Sequence, residues 1–462
     1  MKMYRYSIFL LATLAFGCIP DKRIVWSPDG KRAAVSTDHG LYIIDRDGRV
    51  LSPRLECGMS RCSWFADSKR LAMVYVQKVH DWNGLAPLFD QKQTAEIAAE
   101  SRKLRERILA YSGNWDQFEL DPDKKSTPGH DDAVLLYLLS HDAAGLAEKV
   151  GDPWKSVSQI EASLWKLQMF ELGDDRLTPG TVLYQGLDEI FQPKVSPKGT
   201  IVAMVLPDPN AHSDEPCLAV AATSGGPLRI VASSVAMDFD WKNDGQSMAL
   251  VRAHGHAKDK DQTLQLGSLT TIQVADETGM LLGQFAASTD RVGLIFNPIS
   301  GVRWLADGRI LFSTAEVSLP ATTRDMPQQW TIFVWDPRMP ASVTRAIGRD
   351  FTEALEPSTP IFELSPDEKS VLLPGVKGHV LRYDFAGGDT TKIQDTDDAD
   401  GKTRSLATWR GNDEICYVSP VTSKDGTKKP GEVKIWSRGK SNSISDSWPA
   451  EMKDGWLTDG KQ

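Results

Sequence analysis

The chain has 462 residues, 41% of them hydrophobic and 25% charged, and a formal net charge of -9. That balance supplies a sizeable core and excludes a disordered chain; the acidic excess excludes a general nucleic-acid binder, which needs a basic face to neutralise phosphates. Length alone suggests about three domains, unless the chain is a repeat fold that grows by adding units to one body.

At the N-terminus, Lys2 and Arg5 form a short basic stretch, Ile8 to Phe16 is uncharged and apolar, and Gly17-Cys18 precedes the polar Asp21, Lys22 and Arg23. The apolar run is short for a bilayer span, so residues 1–18 are expected to be a cleaved export signal. Ala15-Phe16-Gly17-Cys18 resembles the lipobox of bacterial lipoproteins, although that family usually has Leu where Ala15 stands and a small residue where Phe16 stands. The resemblance implies lipidation of Cys18. At about 0.8 kcal/mol per buried CH₂, two or three acyl chains would anchor the protein stably in the cell envelope. Ordinary secretion is the alternative. Ile19 after Cys18 shows no Asp-type retention signal.

Export would also open the remaining cysteines to oxidation. Cys57 and Cys62 are close enough to close a small disulfide loop, whereas Cys217 and Cys416 are far apart in sequence. Four free thiols is the alternative reading, and no spacing resembles a zinc site.

A repeat begins at Trp26-Ser27-Pro28-Asp29-Gly30-Lys31, an apolar strand end and a tight turn followed by a second apolar strand. Equivalent units start at Trp64, Val195, Trp241, Trp304, Leu364 and Trp409, and in each the apolar residue stands four positions before the last residue of the turn. Asp-Gly readily takes the positive φ that a two-residue hairpin needs, and Ser-Pro stops the first strand. A third strand follows in most units, as in Leu41–Asp45, Leu218–Ala221, Thr331–Trp335 and Val433–Trp436, and a short fourth often follows it. Four strands per unit, about every 45 residues, is the signature of a β-propeller. The repeated tryptophans are expected to pack between blades rather than form a ligand box, because each buries a large area.

These units resemble the propeller repeat of the TolB family and its WD-like relatives, from Arg23 to about Pro449. The unit at Trp26 matches in full, those at Val195 and Leu364 keep Ser-Pro, and the other four keep little beyond the Trp and the turn. The fold class expected is therefore all-β: a propeller of about seven four-stranded blades over residues 24–449, followed by a C-terminal tail, 450–462.

The gap between the units at Trp64 and Val195 is the longest. Ile97, Leu104, Ile108, Tyr111 and Trp115 fall on one helical face, and further helical stretches are predicted over Asp131–Leu139 and Ala143–Val150. Residues 90–158 thus read as a helical insertion between the second and third strands of blade two. Long polar interruptions at 207–216, 253–262, 317–329 and 420–431 fall at the same place in other blades. In a propeller such loops emerge on one face together with the blade-to-blade connections, so this loop-rich face is the expected working face; tolerated drift in loop length is the alternative.

No Gly-x-Ser-x-Gly elbow, Walker-type loop or His-Glu-x-x-His helix is present. His254 and His256 beside Asp259 and Asp261 have ligand chemistry for a metal, with a solvated polar loop as the other reading. Thr396, Asp398, Asp400 and Gly401 imitate the start of a calcium loop, but Thr stands first and Ala407 occupies the place of the closing Glu. No cofactor is implied. The sequence therefore points to an exported, membrane-tethered propeller that binds a protein or peptide partner in the cell envelope through its loop-rich face, with no role for nucleic acid. The alternative is a propeller enzyme, a hydrolase or lyase, with a site at the channel mouth that leaves no local motif.

Overall fold

The computed structural model describes residues 22–58, 60–113, 118, 128–151, 160–174, 176–208, 215–258, 263–275, 279–286, 293–295, 300–317, 330–339, 343–347, 361–374, 380–393, 407–422 and 428–456. Residues 1–18, read as an export signal ending at Cys18, and Trp115, Asp398 and Asp400 lie outside these residues.

Seven antiparallel blades stand in a ring, each strand hydrogen-bonded to the next in sequence. Their first strands are Ile24–Trp26, Ser60–Trp64, Phe191–Val195, Val235–Trp241, Val302–Trp304, Glu363–Leu364 and Thr408–Trp409. These lie at the inner edges of the blades and neighbour one another around the axis. In blade one the fourth place is taken by residues 50–55, held through isolated bridges of Leu41 to Leu55 and Ile44 to Val50.

The repeated turn explains its own sequence. After Trp26 the chain makes a turn closed by Gly30 N–H to the Ser27 carbonyl (2.8 Å), and the loop is sealed by Ser27 N–H to Arg32 O (2.8 Å). This is a five-residue loop, not the two-residue hairpin expected. The Asp side chain accepts the backbone N–H two residues on, at Asp29, Asp67, Asp244, Asp307 and Asp367, as short carboxylates do in turns. The left-handed residue falls four places after the repeat's apolar residue in six blades: Gly30, Ser68, Gly199, Gly245, Gly308 and Glu368. Blade seven departs from that register, with Gly411 (φ 81°) only two places after Trp409.

The tryptophans pack between blades, as expected. Trp241 belongs to a cluster with Ile201, Val205 and Leu218 of blade three and Met248 of its own blade, and Trp64 packs with Ala34, Leu41 and Ile43 of blade one. Because two sheet faces meet at every junction, both faces of most strands are buried, and Ile201–Leu206 and Ala33–Val35 read as unbroken apolar runs.

The ring closes without exchange of strands. Blade seven takes all four strands from Thr408 to Ser443, and blade one starts afresh at Ile24. The joint is packed by Trp26, Tyr42, Cys416, Val433 and Ile435. Residues 450–456, expected as the start of a tail, form a helix whose Met452 and Trp456 are buried in that joint. Among the described residues no helix is long and apolar enough to cross a membrane.

The insertion of blade two lies between the strands Arg70–Val79 and Ala162–Leu172. It begins at α1 (Trp82–Leu85), eight residues earlier than expected, and continues through α2 (Gln91–Ala110) and α3 (Pro128–Val150). Asp90 starts α2 with a capping box: it accepts from Gln93 N (2.7 Å), and the Gln93 amide oxygen accepts from Asp90 N (3.0 Å). Within α3 the two later helical stretches are both formed, meeting at a kink where Asp142 is non-helical. Ile97, Leu104 and Ile108 bury into a separate small core with Trp82, Leu85, Leu135 and Leu146.

Candidate functional site

Three contacts place the blade connections and the second-to-third-strand hairpins on one face. The start of α3 abuts the connection from blade two to blade three, where a Cβ on Gly129 would come within 2.6 Å of the Leu187 Cβ. In the next connection, Ser233 Oγ donates to Asp208 Oδ2 (2.5 Å) and Ser234 Oγ donates to Glu215. Asp208 and Glu215 flank the ends of the blade-three hairpin, with Asp208 N bonded to Glu215 O (2.8 Å). Between blades four and five, the connecting strand Gly293–Ile295 pairs Leu266 and Gly267 on one side and Glu316 and Val317 on the other. It joins two blades into one sheet.

The interruptions on this face differ from expectation in form. In blade four the strands Ser247–Lys258 and Thr263–Val274 extend the blade as a hairpin, so His254 and His256 lie in a strand, His256 opposite Gln265, and not in a loop. In blade seven Glu414–Thr422 and Lys428–Ser437 do the same. A long hairpin satisfies its backbone through cross-strand bonds, which a polar loop of that length cannot. Among the described residues no three His, Cys, Asp or Glu side chains gather as a metal site.

Cys57 and Cys62, considered for a disulfide, stand as separate thiols in the structure. They lie in the apolar packing between blades one and two, where the neutral thiol is favoured. Burial raises the Cys57 thiol and pushes Cys62 up to about 12.

The channel holds a charged cluster that the sequence reading missed. Along each first strand, side chains alternate between the two faces of the blade. The repeat's apolar residue points towards the preceding blade, as Trp241 does towards the Lys194 carbonyl. The residues one and three places before it therefore point towards the following blade at the inner edge, as Asp238 and Asp240 do towards the Val302 and Trp304 N–H groups. In blades three to six these include Lys194, Asp238, Asp240, Arg303 and Glu363, whereas Val25, Ser63 and Thr408 stand just before the Trp in blades one, two and seven. Asp238 accepts from Lys194 Nζ (2.6 Å) and from Arg303 Nη1 (2.5 Å). Arg303 Nη2 lies 3.9 Å from Glu363, and Glu363 accepts from Lys22 Nζ (2.5 Å), which reaches across from blade one. Asp240 accepts from the backbone N–H of Trp304 (2.8 Å).

These groups are largely surrounded by protein: Asp238, Glu363 and Arg303 keep only 14%, 13% and 16% of their side-chain surface. Burial alone would raise the Asp238 carboxyl, but Arg303 and Lys194 outweigh it and hold it at about 2. Glu363 is likewise held low against burial by Lys22 and Arg303. Burial wins at Asp240, whose carboxyl is raised despite Lys194 and Arg303, with Asp238 adding repulsion. Between blades two and three, Arg61 donates to Ile190 O (3.0 Å) and Glu189 (2.9 Å) and lies over the rings of Trp165 and Phe191. The cluster offers one carboxyl whose charged form burial disfavours, beside fixed cations.

The sequence matches no family model and no curated protein. Solved structures similar to it include the β-propeller domain of Cps50 (Swd1) from Myceliophteria thermophila, 10% identical over 90% of this chain and 97% of that one, with a TM-score of 0.41. An oligogalacturonate lyase in complex with manganese is 11% identical over 80% of this chain and 75% of that one, TM-score 0.38. An acylaminoacyl peptidase from Pyrococcus horikoshii is 14% identical over 61% of this chain, TM-score 0.36, and the chain spans only 41% of its length. Identities this low bear on the fold alone and select no activity.

Proposed function

We propose that this chain is exported, anchored through a lipidated Cys18, and holds a protein or peptide partner in the cell envelope on its loop-rich face. The carrying observation is the strand Gly293–Ile295, which ties two neighbouring hairpins into one sheet. With the insertion seated against Leu187, it makes that face a fixed surface, so a partner binds without ordering it first. The basic, apolar and Gly-Cys order of residues 1–18 supports the export and the anchor. The test is capture from detergent-solubilised membranes with the intact chain and with a chain in which a tight turn replaces residues 80–161. Val79 and Ala162 are cross-strand partners, so a hairpin turn can close there. A partner recovered only with the intact chain supports the reading and places the contact on the insertion. Failure to recover any partner sinks it.

The channel cluster favours a second reading, a hydrolase or lyase working at the channel mouth, with Asp240 as proton donor or acceptor. Turnover of a small ester, peptide or glycoside panel that disappears in Asp240→Asn would support it.

A further inference from the structure

The chain enters the ring on the loop-rich face, and it is pinned there. The Arg23 carbonyl accepts from Ser36 N (2.8 Å), and its guanidinium donates to Trp456 O (2.8 Å) and lies 3.6 Å from Asp38. Asp38 sits in the turn between the second and third strands of blade one, Arg32–Thr37 and Gly40–Asp45. Those turns belong to the loop-rich face. Lys22 reaches inward to Glu363. The last residue before the fold therefore stands at the channel mouth, and only Ile19, Pro20 and Asp21 separate it from Cys18.

Four residue steps span at most about 14 Å when fully extended. A helix with its side chains is about 10 Å across, and blade two raises a helical insertion on this same face. A tether that short, rooted at the channel mouth, leaves no room for a folded domain between this face and the surface holding Cys18. We propose that in the anchored protein the loop-rich face lies against the bilayer, with phospholipid headgroups as the surface it meets, and that the Asp-Gly turns point away from the membrane. This rests on the anchor at Cys18 and sharpens the preceding reading: a protein partner of this face has to be presented at the bilayer surface.

The orientation is testable apart from natural acylation. A chain beginning at Cys18 is coupled through that thiol to phosphatidylcholine vesicles bearing a maleimide headgroup, with the Cys18→Ser chain as the control that must stay unbound. Lysine acylation followed by mass spectrometry then compares coupled and free protein. The expected result is severalfold slower modification of Lys22 and of the exposed Lys92 and Lys103 on α2, with the exposed turn lysines Lys31, Lys69 and Lys369 unchanged. Slowing at the turn lysines, or at none, overturns the orientation. Absence of an acylated N-terminal peptide from the native membrane protein would instead remove the anchor, leaving the vesicle result to stand or fall alone.

Discussion

Trp64 in blade two donates its indole N–H to the backbone carbonyl of Val25 in blade one, at 2.8 Å. The bond recurs: Trp241 donates to the Lys194 carbonyl and Trp409 to that of Glu363, each at 3.1 Å. In every case the acceptor is the residue just before the preceding blade's own apolar anchor. The indole thus fills the junction and satisfies a carbonyl there, which accounts for Trp rather than another large apolar side chain at 64, 241 and 409; the buried indole N–H groups of Trp26 and Trp304 make no such bond. Trp64→Phe should cost about 1 kcal/mol, the worth of one hydrogen bond. Trp64→Ala should cost about 3–5 kcal/mol, because a cavity opens as well. Urea unfolding of the two variants checks the difference; a Trp64→Phe chain as stable as the native protein would mean that the indole N–H contributes nothing.

Asp238 and Asp240 should respond oppositely to removal of charge. Asp238→Asn leaves Lys194 and Arg303 without their shared carboxylate. The loss should be about 2–3 kcal/mol, somewhat under that of a fully buried pair because the channel side keeps some hydration. Asp240→Asn should be neutral to stabilising by about 1 kcal/mol at pH 7, since burial already disfavours its charge and an amide oxygen can still accept from Trp304 N–H. Thermal melts of both variants decide; a large loss in Asp240→Asn would show that its charge is needed in the ring.

Acid should loosen the ring over a definite window. Asp238, Glu363 and the turn residues Asp29, Asp67, Asp244 and Asp367 all have carboxyls held below their ordinary values, because bonds from cations and N–H groups outweigh the burial that would raise them. A depressed folded-state value means stability that is present above the unfolded value near 4 and is lost as pH falls towards the folded one. Asp240 acts in the other direction, stabilising as it takes up a proton, but it is one group against six. The urea midpoint should therefore fall between about pH 4.5 and 2. A midpoint that stays level down to pH 3 would refute the net effect.

Glu368 occupies a left-handed backbone position (φ 59°) where four other blades have glycine and blade two has Ser68, and its carboxylate accepts from Ala306 N in the preceding blade at 2.8 Å. The backbone conformation costs about 1–2 kcal/mol for a residue with a Cβ, and the bond returns a similar amount. Glu368→Gly should therefore lie within about 0.5 kcal/mol of the native protein. Glu368→Ala keeps the strain, loses the bond, and should cost about 1 kcal/mol. Chemical denaturation ranks the pair, and the reverse order would rule out the inter-blade bond as the reason for Glu.

Trp456 closes the ring from the C-terminal side: its ring packs against Trp448 at 5.6 Å between centroids, and its carbonyl accepts from Arg23. Trp456→Ala should cost about 3 kcal/mol. Because blade one and blade seven share no strand, the loss should appear first at their joint. Hydrogen exchange should accelerate in Ile24–Trp26 and Lys440–Ser443 before the middle blades. Uniform acceleration around the ring would contradict a local closure.

The channel cluster was legible in part. Once the repeat's apolar residue is assigned to the face of the preceding blade, strand alternation sends the residue before it towards the following blade, and Lys194, Asp240, Arg303 and Glu363 stand in that place. Their pairing was not legible, because Lys22 and Glu363 are 341 positions apart and meet only when the ring closes.

By itself the sequence determined the blades, the place of the insertion and the face that carries the long hairpins, because turn chemistry, strand alternation and helical spacing are local properties. Tertiary structure alone decided that the polar interruptions of blades four and seven continue as paired strands, and that residues 450–456 seal the joint. It also decided that one channel aspartate stays ionised while its neighbour two residues on is pushed towards its neutral form. Those outcomes depend on cross-strand partners, on apolar surface and on charges supplied by distant segments, which no local pattern specifies.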